Sequence, residues 1–165
     1  MNKLKALPSA LTPCCDTVAL KINNRGNIVG VASSGPGVLD TTSPVVWENE
    51  NSIPVNLGTL GGLRAWASDI NDRGEVVGRS AIPSGFNHGF IWKNGRMIDL
   101  NDLLDELRRR NRVQLPEGFA YIVAAQAINN ASRRQIVGYY EGENQDGPFT
   151  HAFLLTLSDG FLEHL

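Results

Sequence analysis

The sequence predicts an all-β protein of three propeller-like blades, each of about four antiparallel strands, with one short helix between the second and third. Three observations predict it. A turn-and-strand pattern occurs three times, the strands beside each turn are apolar on both faces, and only one stretch has helical character. A three-fold pseudo-symmetric, β-trefoil-like barrel is the alternative that the same periodicity allows.

The second copy of the pattern is the clearest. Ile70-Asn71-Asp72-Arg73-Gly74-Glu75-Val76-Val77-Gly78 matches Ile22-Asn23-Asn24-Arg25-Gly26-Asn27-Ile28-Val29-Gly30. It also matches Ile128-Asn129-Asn130, resuming at Gln135-Ile136-Val137-Gly138. Asn-Asn/Asp-Arg-Gly suits a type I turn with Gly in the left-handed bulge position, which joins two antiparallel strands. The third copy replaces Arg-Gly with Ala131-Ser132-Arg133-Arg134, two residues longer and without Gly, which predicts a looser loop.

The later strands of each unit follow in order. His88-Gly89-Phe90-Ile91-Trp92 matches His151-Ala152-Phe153-Leu154-Leu155 and, more loosely, Ser43-Pro44-Val45-Val46-Trp47. Asn94-Gly95 and Asp159-Gly160 are hairpin signals, and Asn49-Glu50-Asn51-Ser52 stands at the same point of the first copy. A last strand carries Leu in Val55-Asn56-Leu57, Ile98-Asp99-Leu100 and Phe161-Leu162. Pairs such as Val76-Val77 and Ile28-Val29 put apolar groups on both faces, which fits sheets covered on both sides. Gly30, Gly78 and Gly138 fall mid-strand and predict a close neighbour, an indole or Leu of an adjacent strand.

These motifs together resemble the HAF-repeat proteins, a bacterial family named for its His-Ala-Phe signature. The resemblance rests on INDRGEVVG…HGFIWKNGRMIDL, LGTLGG at Leu57 to Gly62 and HAFLL at His151, and covers roughly Val18 to Gly160. It implies propeller-like repeats and an extracellular location, with no common activity. Only His151-Ala152-Phe153 keeps the signature intact; His88 is followed by Gly, and the first copy has no His.

The 165 residues suit a single repeat domain: an N-terminal strand and loop over about 1–17, then repeats over about 18–62, 63–101 and 119–165. The helical insertion covers about 102–116, with Asp102 as cap, Asp105 and Glu106 in the first turn and Arg108 to Arg110 in the last. Leu103, Leu104 and Leu107 form its apolar side. Leu4 to Leu7 resembles Leu57-Gly58-Thr59-Leu60 and reads as an orphan copy of a unit's last strand.

A net charge of −2 argues against nucleic-acid and anionic-membrane partners, and no apolar run is long enough to span a bilayer. Pro8 and Pro13 break the apolar core that a signal peptide needs, so the chain as given reads as cytoplasmic, against the location that the resemblance implies. Cys14-Cys15, the only cysteines, read as reduced thiols in a turn, because a vicinal disulfide needs a strained peptide.

No nucleophile–base ordering, paired carboxylates, phosphate loop or metal spacing stands out, so no cofactor or metal is expected. His88 and His151, at equivalent points of successive units, read as hydrogen-bonding devices that tie a strand to a nearby turn such as the Asn-Asp pair. The candidate ligand surface is Trp66, Arg73, Arg25, Arg108 and Arg109: an exposed indole and cations on turns and a helix end. The function that follows is a non-catalytic binding or scaffold module for a protein or glycan. An enzyme with its site in a central channel, hydrolase-like, is the second reading, and a lectin-like propeller the third. Three blades are too few for a toroid of four to eight, which predicts a homodimer closing a six-blade ring. Its interface should exceed ~2,000 Å² in total.

Overall fold

A computed structural model describes residues 2–9, 16–33 and 41–158. The chain is mostly β, in three separate antiparallel sheets. The first holds β1 (Thr17–Ile22), β2 (Ile28–Ser33), β3 (Thr42–Trp47) and β4 (Val55–Asn56) in sequence order. The second repeats it with β5 (Ala65–Ile70), β6 (Val76–Ala81), β7 (Asn87–Lys93) and β8 (Arg96–Asp99). The third is longer-stranded, with β9 (Phe119–Ile128), β10 (Arg134–Asn144) and β11 (Gly147–Leu157) in the order β11-β10-β9. The Phe161-Leu162 strand, the Asp159-Gly160 hairpin and Cys14-Cys15 lie outside the described residues.

The sheets stack in chain order through their first strands. β5 packs against β1, β2 and β3, and β9 against β5, β6 and β7. The paired apolar residues divide between the two faces as their alternation requires. Val76 and Phe90 join Val29, Leu57 and Ile70 in one core on the side of the first sheet. Val77 and Ile91 join Ile122, Ile128 and Ile136 in another on the side of the third. The second sheet is therefore covered on both sides.

The turns follow their chemistry. Gly26 and Gly74 take φ of +83° and +75°, the left-handed position a bulged type I turn needs. Asn94 and Gly95 both have positive φ, as a type I′ hairpin demands.

Three expectations need correction. First, α1 (Leu100–Arg109) starts earlier than Asp102, because the Asp99 side chain accepts from the Asn101 N–H and caps it. Leu100 thus leaves the last strand and joins Leu103, Leu104 and Leu107 on the buried side. Second, residues 2–9 form no strand. Pro8 has no N–H for a ladder, and its carbonyl instead accepts a hydrogen bond from the Trp47 indole at 2.9 Å.

Third, the neighbour of the mid-strand glycines is neither indole nor Leu. A Cβ on Gly30, Gly78 or Gly138 would lie 1.9–2.0 Å from the carbonyl oxygen of Val18, Trp66 or Ala124. In each sheet the first strand slips register here, between Ala19 and Lys21, between Ala67 and Asp69, and between Ala125 and Ala127. Such a bulge swings a carbonyl over the facing residue. At Gly78 and Gly138 a Phe ring, Phe90 or Phe153, closes the other side.

Candidate functional site

The repeated Asn turns do the most chemistry, and they do it on one another. Within each turn the first Asn gathers the backbone: Asn23 Oδ1 accepts from Arg25 and Asn27 N–H, and Asn71 Oδ1 from Arg73 and Glu75 N–H. Asn129 Oδ1 accepts from Gln135 N–H, so the longer third loop closes at the same point. Between turns the same side chains reach forward. Asn23 Nδ2 donates to the Asn71 carbonyl at 2.9 Å, and Asn71 Nδ2 to the Asn129 carbonyl at 3.3 Å. One residue on, Asn24 N–H donates to Asp72 Oδ1 at 2.9 Å, and Asp72 N–H to Asn130 Oδ1 at 2.6 Å. The result is a directional ladder running from the first sheet to the third.

Behind the middle rung lies a buried carboxylate. Glu75 is 0% exposed and receives Arg134 Nε at 2.5 Å, Arg73 Nε at 3.1 Å, Lys93 Nζ at 3.6 Å and Asn71 Nδ2 at 2.7 Å. Burial pushes its carboxyl up, but hydrogen bonds from Asn71, Arg134 and Arg73 and the Arg134 charge outweigh that, leaving it below the ordinary value. Arg134 is itself buried and opens β10 directly after the third loop, just before Gln135. The loop's extra length thus ends in a cation that spans the second and third sheets.

The histidines part company. His88 Nδ1 lies 2.6 Å from Asp99 Oδ2, so its partner is the helix-capping residue on the adjacent strand rather than the Asn-Asp turn. His151 is exposed and leans on the Phe149 ring at 4.5 Å. His164 lies outside the described residues. Beside His88, the Tyr121 ring stands at 5.5 Å and Phe86 lies 6.2 Å from Tyr121. Tyr121 Oη donates to Glu141 at 2.6 Å, and that bond pushes its hydroxyl up to about 12.

No family model, no characterised protein and no solved structure matches the chain.

The five residues of the predicted ligand surface stand on two neighbouring Asn turns, on β5 and at the end of α1. Arg73 is drawn into the knot, bonding Glu75 and, through Nη1, the Asn130 carbonyl at 3.1 Å. The residue as a whole nevertheless stays exposed, like Arg25 on the preceding turn. Arg108 and Arg109 are exposed at the end of α1, with Arg109 paired to Glu106 at 3.1 Å. Trp66 lies on β5 with the Arg79 guanidinium stacked 4.7 Å from its ring.

An apolar cavity of about 270 Å³ opens between α1, the segment after it and the third sheet, lined among others by Leu104, Leu115, Phe119, Tyr140 and Phe153. Among the described residues no cluster of three or more His, Cys, Asp or Glu could hold a metal, and no helix is long and apolar enough to cross a membrane.

Proposed function

We propose that the chain is a non-catalytic β-repeat scaffold or binding module whose three sheets are propeller-like blades. One observation carries this reading. The Asn side chains that recur at equivalent points of the units hold one sheet to the next: Asn23 donates to the Asn71 carbonyl and Asn71 to the Asn129 carbonyl. Three separate sheets stacked face to face favour blades over a single barrel of the trefoil kind. Membership of the HAF-repeat family would agree with this, as would action as a homo-oligomer.

In this reading the ligand, a protein or a glycan, meets loops and exposed aromatics rather than the repeat motif. Two edges offer themselves: Trp66 with Arg79, and Phe86 with Tyr121 and His88. A glycan array probed with the intact chain, beside a proteomic pull-down, tests it. Saturable capture of a defined glycan or protein, lost on Trp66→Ala or Phe86→Ala, is the expected result. Turnover of a chromogenic hydrolase substrate by the purified chain would favour the enzyme reading instead.

A further inference from the structure

The two ends of the stack are the two halves of an interface the chain already makes twice. Between the first and second sheets, Val29 and Val46 hold Leu57 and Ile70. Between the second and third, Val77 and Ile91 hold Leu100 and Ile128. Strand register identifies the third set. Val137 pairs Leu154 as Val29 pairs Val46 and Val77 pairs Ile91, yet Val137 is 42% and Leu154 61% exposed. At the other end Ile22 pairs Ile28 as Ile70 pairs Val76, and Ile22 is 66% exposed. Leu4, first of the Leu-x-x-Leu that resembles Leu57 to Leu60, is 100% exposed.

The hydrogen-bond ladder stops in the same way. Asn129 Nδ2 spends one hydrogen on Gln135 Oε1, where Asn23 and Asn71 spend a second on the following turn. Asn130 N–H, equivalent to the donors Asn24 and Asp72, has no acceptor among the described residues. Among the described residues the Asn23 carbonyl accepts only from Gly26, whereas that of Asn71 accepts from both Gly74 and Asn23. Donors end at one face and acceptors begin at the other.

We infer that a second copy of the chain seats its first sheet on the outer face of the third, head to tail, in the register of the internal interfaces. This rests on the reading of the chain as a stacking module. Ile22 and Leu4 of one copy cover Val137 and Leu154 of the other. Asn129 Nδ2 donates to the Asn23 carbonyl of the other copy, and Asn130 N–H to its Asn24 side chain. The contact joins unlike faces, so it repeats until the rotation closes a ring; two copies of three sheets make the six-blade case.

Light scattering on a sizing column, at micromolar concentration, reads the outcome. Wild type should run at twice the 18.0 kDa chain mass. Ile22→Asp, Leu4→Asp and Leu154→Asp, all at exposed positions, should each fall to the monomer mass with unchanged far-ultraviolet circular dichroism. Mixing Ile22→Asp with Leu154→Asp should restore a one-to-one dimer, because each variant keeps the face the other lost. A monomeric wild type, a mixture that stays monomeric, or a single variant that keeps the wild-type mass would overturn the head-to-tail contact. A monomer that still captures its glycan or protein would leave the module reading standing; a dimer that captures nothing would leave only the assembly.

Discussion

Arg134 of the third sheet places its Nε 2.5 Å from Oε1 of Glu75 in the second, and the carboxylate is sealed from water. Two sheets are thus joined by a charge pair that neither can keep buried alone. Removing one partner of such a pair is far more damaging than replacing both.

The first prediction follows from that asymmetry. Arg134→Met should destabilise the chain by ~3–5 kcal/mol, the usual result of stranding a buried charge. The double variant Arg134→Met with Glu75→Gln should recover part of the loss. Chemical denaturation of the four members of the cycle measures it; equal and additive effects would mean the pair is not coupled.

Acid should expose the same knot. The Glu75 carboxyl titrates below its ordinary value near 4.5 in the folded chain, so its contribution is fully present above that value. It is lost as pH falls through the lowered folded value. Thermal midpoints of wild type should therefore drop more steeply below about pH 4.5 than those of Glu75→Gln, measured across the same buffers. Parallel curves would remove Glu75 from the acid limb.

Gly78→Val should destabilise severely, because the new Cβ would stand 2.0 Å from the Trp66 carbonyl oxygen, a backbone atom that cannot swing aside. Overpacking typically costs ~1–3 kcal/mol, and a fixed obstacle puts this variant at or above the top of that range. Gly30→Ala, facing the Val18 carbonyl, should behave alike in the first sheet. Unchanged thermal midpoints would contradict both.

The two histidines of the repeat should separate by stability. His88→Ala deprives Asp99 of its 2.6 Å partner and should cost ~1–3 kcal/mol. His151→Ala, at an exposed position, should stay within about ±0.5 kcal/mol. Urea midpoints of the two variants decide it, and equal losses would restore a common role for the pair.

Asn71→Ala should cost ~1–3 kcal/mol for each backbone donor left without its acceptor, here the N–H groups of Arg73 and Glu75. Hydrogen exchange at those two amides should quicken before global unfolding. Protection equal to wild type would mean that the turn closes without its Asn.

Much of this was legible from local pattern. Val76 beside Val77 announced a sheet covered twice, and Asn94-Gly95 a tight hairpin, because neither depends on distant partners. What stayed hidden depended on register. Glu75 sits in a polar turn and looks solvated until Arg134, fifty-nine positions away, closes over it. Arg73 is exposed, as its turn position suggests, but its bond to Glu75 could not be read from the turn alone. The obstacle facing Gly78 is a carbonyl displaced by a bulge, and bulges appear only once strands are paired. Asp99 was read as part of a strand, yet it both caps α1 and holds His88. Of the proposed ligand surface, residue type alone suggested both the exposed Arg25 and the half-buried Trp66, but nothing local says which side chains converge.

The middle Asn turn gives to its successor through the same kinds of atom by which its predecessor gives to it. A tandem duplication that inserted one more such unit would find its donors and acceptors already waiting on both sides. Spacing between units is therefore inherited by every copy, while their number is left free for duplication and loss to change.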